Sequence, residues 1–284
     1  MDTSQVWYVT GASQGLGLSF VKNLLDQGYR VAATSRSVEK LKKAVNDDRA
    51  VFLPLAVNIT DEASVKQSVE ATVAHFGRID VLVNNAGYGL SGALEELTDA
   101  ESRTNFDINV FGSLNVIRQA LPYLRKQQSG HIFNISSVAG FSGGFAGFGI
   151  YCATKFAVHG FTESLAHEAK PFGIHTTLVM PGYFRTNFLQ DSSFGTPQHP
   201  INEYQNVRAS ITQHQQEINN HQPGDPDKAA DVLIQVAQLP EPPLHLFLGE
   251  DAYQLAAHKI DAVQQEMKQH QSLATSTAFN QESV

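Results

Sequence analysis

Seven short runs rich in Val, Leu, Ala and aromatic residues recur along the chain, and between them lie amphipathic stretches long enough for helices. The runs fall at 6–10 (VWYVT), 30–35, 50–57, 80–85, 131–136, 175–181 and 244–249. The helical stretches fall at 15–27, 61–76, 99–127, 151–170 and 226–238. Strands covered on both faces read as nearly continuous apolar runs, because neither face needs polar residues. Their alternation with helices requires crossover connections and therefore a parallel sheet. The expected fold is α/β, a doubly wound parallel sheet of about seven strands with helices on both faces.

At 284 residues the chain suits one large domain, and no Pro/Ser-rich linker divides it. We expect a single domain over 1–275 and a flexible tail over 276–284. The segment 190–224 lacks clear strand content and is expected to be a lid or substrate-specificity insertion. A net charge of −8 and a pI near 5.7 argue against nucleic acid as partner. The cluster Lys40, Lys42 and Lys43 reads as a solvated helix face. The single cysteine, Cys152, has no partner for an internal disulfide and reads as core filler. No signal-type leader or long apolar run occurs, so the expectation is a cytoplasmic protein without a membrane span. Histidines such as His214, His221, His258 and His270 stand in polar, Gln-rich surroundings and read as solvated, with no metal proposed.

The stretch TGASQGLG (10–17) joins the first strand to the first helix. Its glycines at 11, 15 and 17 permit a tight turn, close approach of a pyrophosphate and close helix packing. The N–H groups at the helix start then form an anion site. Further on come NNAG (84–87), Asn109, SS (136–137), YxxxK (151–155) and PG (181–182). In this order, over roughly residues 5–250, these motifs resemble the short-chain dehydrogenase/reductase family.

The resemblance implies an oxidoreductase that binds a nicotinamide dinucleotide. Its cofactor contacts would be Gly11, Ser13, Gly15, Leu16 and Gly17, then Asn85, Ala86 and Gly87, then Pro181, Gly182 and Thr186, with Tyr151 and Lys155 at the nicotinamide end. After the second strand stand Ser35 and Arg36, with no acid before Glu39. A guanidinium fork matches a 2′-phosphate, so NADP(H) is expected over NAD(H). Asn58 stands where the family commonly has Asp, keeping a carbonyl acceptor but losing the charge.

Carbonyl reduction needs a proton on oxygen as well as a hydride on carbon. Tyr151 and Lys155, four apart on a helix, share one face. An ammonium about 4 Å from a phenolate is worth roughly 4 kcal/mol at an effective dielectric near 20. That would lower the phenol pKa by up to about 3 units, with desolvation opposing. Tyr151 is therefore the expected general acid/base. The resemblance implies that Ser137 holds the substrate oxygen and that Asn109 supports a proton relay from Lys155. The expected substrate is a hydrophobic ketone or aldehyde, or the corresponding alcohol, in a pocket lined by Tyr88, Leu90, Phe141, Phe145, Phe148, Tyr183 and Phe188.

The loop from Ser137 to Tyr151 is one residue longer than is usual in the family, and its glycines can absorb the excess. Family members are often homodimers or homotetramers through helices corresponding to 99–127 and 151–170. A catalytically idle dinucleotide sensor of the same fold is the alternative, although such proteins usually lack the Tyr/Lys pair.

Overall fold

In a computed structural model, which describes residues 3–190 and 193–279, all seven predicted runs are strands. In chain order the strands are β1 (Val6–Val9), β2 (Arg30–Ser35), β3 (Phe52–Ala56), β4 (Val81–Asn84), β5 (Gly89–Leu90), β6 (Gly130–Ile135), β7 (Ile174–Pro181), β8 (Phe194–Gly195) and β9 (His245–Leu248). The helices are α1 (Gly15–Asp26), α2 (Val38–Val45), α3 (Glu62–Phe76), α4 (Asp99–Phe106), α5 (Gly112–Gln127), α6 (Gly149–Ala169), α7 (Gln205–Thr212), α8 (Pro226–Val236) and α9 (Glu250–Ala274). The main sheet is wholly parallel, in the order β3-β2-β1-β4-β6-β7-β9. The strand order reverses between β1 and β4, which leaves a crevice beyond their carboxyl ends.

Strand periodicity assigns the two cores. On β1, Trp7 and Val9 face one layer and Tyr8 the other. Val31 and Ala33 follow the first pair, and Ala32 the second. The first layer packs on α1, α2 and α8 through Leu24, Leu41 and Leu233. The second packs on α3, α5 and α6 through Val69, Leu124 and Leu165. Each buried Val or Leu of this kind contributes about 1.5–3 kcal/mol. The Tyr8 hydroxyl in the second layer shares a 2.5 Å hydrogen bond with Ser68, whereas the Trp7 Nε1 in the first has no hydrogen-bond partner among the described residues.

Helix starts are written in the sequence. Asp61 and Asp225 cap α3 and α8, and Thr98 with Glu101 forms a reciprocal capping box at α4. The predicted helix 99–127 is broken by a π turn, Asp107–Phe111, which separates α4 from α5. A second π turn, Gln213–Ile218, follows α7. The long α9 was not foreseen. It reaches Ala274, and residues 280–284 of the expected tail lie outside the described residues. Among the described residues no helix is long and apolar enough to cross a membrane.

The segment after β7 is tied to the body at separate points. Strand β8 pairs in parallel with β5. The Glu96 carboxylate, fully buried, accepts from the amides of Ala93 (2.7 Å) and Ile201 (2.6 Å) and from the Arg208 guanidinium (2.6 Å). Burial pushes this carboxyl's pKa up, but its donors outweigh that and hold it below the ordinary value. Arg208→Met would leave the carboxylate buried with its amide donors but no counter-ion. The expected loss is about 2 kcal/mol, less than for a fully buried pair because Arg208 is partly exposed. A lower thermal midpoint and faster proteolysis within 193–224 would be the signs; unchanged cleavage would show that this pair does not hold the segment.

Candidate active site

A cleft of about 800 Å³ opens where the strands end, lined by the segments that follow β1, β2, β3, β4, β6 and β7. Gly11, Ser13, Gly15 and Leu16 form one wall, Ser35, Arg36 and Asn58 one end, and Asn85, Ala86 and Gly87 the floor beside them. Pro181, Gly182 and Thr186 close the other side. These positions coincide with the residues singled out from sequence, with one exception. Gly17 does not line the cleft: a Cβ there would stand 2.4 Å from the Asn85 Nδ2 and 2.5 Å from the Gly11 carbonyl. It is the packing glycine of the loop. Gly11 has φ +67°, and a Cβ on it would lie 2.8 Å from the Ala86 Cα, so two loops meet there backbone to backbone.

The residue before α1, Gln14, makes no side-chain cap, so the first-turn amides stay available to an anion. Its Nε2 instead donates to the Ser193 hydroxyl at 2.6 Å, joining the glycine loop to the segment after β7. A long cleft with uncapped amides midway and a guanidinium at one end fits a dinucleotide. Among the described residues Arg36 has no ion-pair partner, while Glu39 is bonded to the Ser37 hydroxyl.

At the inner end of the cleft stand Ser137, Tyr151 and Lys155. Ser137 follows β6 in extended conformation, and its Oγ accepts from the Ala139 amide at 3.1 Å. Tyr151 and Lys155 lie one turn apart on α6, and both are buried. The Lys155 Nζ donates to the Ile135 carbonyl at 3.1 Å and lies 5.8 Å from the Tyr151 ring centre. Burial pushes the lysine down to about 8. The expectation that Lys155 would lower the tyrosine does not hold among the protein's own groups. Burial raises the Tyr151 phenol well above its ordinary value, and a hydrogen bond with Ser137 offsets only part of this. Desolvation dominates, and the phenol stays protonated.

Asn109 is buried on the first π turn and does not line the cleft. Its Oδ1 accepts from the Tyr88 amide, and its Nδ2 donates to the Tyr88 carbonyl and the Thr154 hydroxyl, at 3.0–3.1 Å. These bonds tie the segment after β4 to α6 beside Lys155.

Of the predicted pocket, Tyr88, Phe145, Phe148, Tyr183 and Phe188 line the cleft. Phe141 does not. It packs edge-on against Phe247, at 5.4 Å between centres, in a cluster with Val158, Leu178 and Met180. Leu90 is buried on β5, also away from the wall. Phe184, expected with Phe188 to begin the substrate lid, lines the cleft too; Leu189, Phe194 and Gln222 also line it but were not foreseen. His214 was read as solvated, yet it is buried in the cleft, 4.6 Å from the Phe148 ring centre. Only its partners in space distinguish it from His221 and His258, which are exposed.

The buried ammonium carries a stability cost with a defined pH dependence. Between about 8 and the ordinary lysine value the unfolded chain binds more protons than the folded one, so stability rises with pH across that window. Below about 8 the desolvation cost is present in full. Lys155→Met is therefore expected to be more stable than the parent at pH 7, by roughly 1–3 kcal/mol, and to lose that advantage as pH rises. Denaturant unfolding at pH 7 and pH 10 measures this. An equal or lower stability of the variant at pH 7 would contradict it.

The family model for the short chain dehydrogenase matches residues 5–195. An oxidoreductase, BOA17, from Botryotinia fuckeliana is 34% identical over 277 residues, covering 97% of this chain and 100% of its own length. A 3-ketodihydrosphingosine reductase from Bacteroides thetaiotaomicron is 43% identical over 185 residues, 65% of each chain. The crystal structure of a short-chain dehydrogenase from Streptomyces avermitilis superposes with a TM-score of 0.88 at 35% identity, covering 97% of this chain and 99% of the other. With a seven-stranded parallel sheet and a dinucleotide cleft already described, the chain belongs to the short-chain dehydrogenase/reductase family and is an NAD(P)-dependent oxidoreductase.

Proposed function

We propose that the enzyme interconverts an apolar ketone or aldehyde and its alcohol, with NADP(H) as cofactor and Tyr151 as general acid/base. The observation that carries this is the meeting of the Ser137 hydroxyl and the Tyr151 phenol inside a wall formed by Phe145, Phe148 and Phe188. The bound cofactor supplies the hydride to the carbonyl carbon. As the C=O π pair moves onto oxygen, Tyr151 delivers its proton there. Ser137, whose Oγ accepts from Ala139, keeps its O–H to donate to the same oxygen. Lys155 then stabilises the phenolate left behind until a proton from solvent restores the phenol, with Asn109 holding the segment beside it. A phenol kept neutral by burial is a proton donor in waiting, which suits the reductive direction.

Support for NADP(H) comes from the cleft end, where Arg36 is free to meet a 2′-phosphate and Ser35 stands beside it. The Bacteroides relative is named as a reductase of a 3-keto compound, which favours a ketone here. The segment 190–224 is the substrate lid of the single domain. Phe111 and Phe156, on the π turn before α5 and on α6, are exposed and support a homo-oligomer.

Tyr151→Phe is expected to lower kcat by at least about 10³-fold while leaving cofactor affinity within a few-fold. Stopped-flow oxidation of NADPH with a ketone panel tests this, and retention of most of the activity would remove Tyr151 from the chemistry. Arg36→Asp should weaken NADPH binding by about 10–100-fold and leave NADH binding unchanged or tighter. Titration of both cofactors is the measurement, and unchanged NADPH affinity would refute the preference.

A further inference from the structure

The second π turn brings one polar pair into an otherwise aromatic wall. The Tyr183 hydroxyl and the His214 Nε2 are 2.9 Å apart, and the His214 Nδ1 is 2.7 Å from the Ser210 carbonyl. A carbonyl only accepts, so Nδ1 carries the proton. In the neutral imidazole Nε2 is then an acceptor, and the proton between it and Tyr183 belongs to the phenol. The direction of every bond in this chain follows: Tyr183 donates to His214, and His214 donates to Ser210. What Tyr183 has left are the lone pairs of its oxygen.

Tyr183 and His214 both line the cleft, and Tyr183 is close enough to Tyr151 for the two phenols to interact electrostatically. Burial, then the Asp251 carboxylate, push the Tyr183 phenol up, so it stays neutral. Gln222 lines the same cleft and is almost wholly buried, with a carboxamide oxygen that has no partner. On the cleft wall, therefore, the Tyr183 oxygen is an acceptor in want of a donor.

We propose that Tyr183, oriented by His214, is a specificity residue that accepts a hydrogen bond from a hydroxyl or amino group on the substrate, one or two carbons from the reacting carbonyl. This rests on the oxidoreductase reading above and narrows its substrate class from apolar ketones to apolar hydroxy- or aminoketones. Tyr183 touches substrate; His214 acts through Tyr183 by fixing which way its hydroxyl proton points. A methoxy group at the same place, of similar size but without a proton to donate, is refused.

The test uses matched ketones of one chain length: unsubstituted, hydroxy, amino and methoxy at the first or second carbon from the carbonyl. For the parent enzyme kcat/KM for the hydroxy or amino compound is expected to exceed that for the methoxy compound by about 10-fold or more. The hydroxy and amino arms identify which donor is used. Tyr183→Phe should bring the ratio of kcat/KM for the hydroxy or amino compound to that for the methoxy compound close to one. His214→Leu should do the same. His214→Gln, which restores a carbonyl acceptor for the phenol, should recover part of it. A purely structural role would lower all substrates together, and that result overturns the proposal, as does a parent enzyme that treats hydroxy and methoxy compounds alike.

Equilibrium binding of the same ketones to the cofactor-loaded protein separates the two readings. Turnover without a donor preference sinks this inference alone. A Tyr183-dependent binding preference without turnover sinks the catalytic reading alone.

Discussion

An ammonium held in the interior by one carbonyl is the constraint around which the site is arranged. Lys155 is buried at the end of β6, bonded to the Ile135 carbonyl, and burial alone accounts for its depressed pKa. Keeping it there requires α6 to start where it does and β6 to end with a free carbonyl. Gly87 lies beside both groups: a Cβ there would stand in ordinary contact with the Lys155 Nζ, at 3.7 Å, but only 3.0 Å from the Asn109 Oδ1. The parallel sheet supplies these ends at one edge because every strand runs the same way. A fold that must desolvate a charge gives up stability for placement, and this one does so where Ser137, Tyr151 and Lys155 meet in the cleft.

Sequence reasoning reached the parts of the molecule that are set by local rules. Strand runs such as VWYVT and HIFNIS are decided by burial on two faces, and their ends came out within a residue or two. The glycine loop was legible because its backbone must do what few residues allow, and Tyr151 with Lys155 because helix geometry alone puts them on one face. The failures have a common origin in partners distant along the chain. Phe141 and Phe145 are both loop phenylalanines, and only the presence of Phe247 turns the first away from the cleft. His214 looked like its polar neighbours until Tyr183, 31 residues away, came to meet it. The balance between Lys155 and desolvation at Tyr151 depended on how deep both lie, which spacing does not encode.

The segment from 193 to 224 shows how the family fold is made particular to one chain. It is stitched down by β8 on β5, by Glu96 and Arg208, and by Gln14 on Ser193. These ties are made between protein groups alone. The aromatic wall is thus ordered during folding, and the entropy of assembling it is not charged to ligand binding. Tyr151 and Lys155 sit on α6 and Ser137 just after β6, while much of the wall sits on this segment. The two can vary independently.

The second π turn gives that independence a discrete step. A π turn is a helix carrying one residue more than its hydrogen bonding needs. Loss of the codon for Gln213 would let the turn close with α-type bonds, put His214 in the place of Gln213 and leave α7 as it is. His214 and its neighbours would then change places on the wall with no substitution at all. Descendants of this gene have a route to a new pocket lining that leaves the sheet, the glycine loop and the Tyr–Lys pair untouched, and that route is one deletion long.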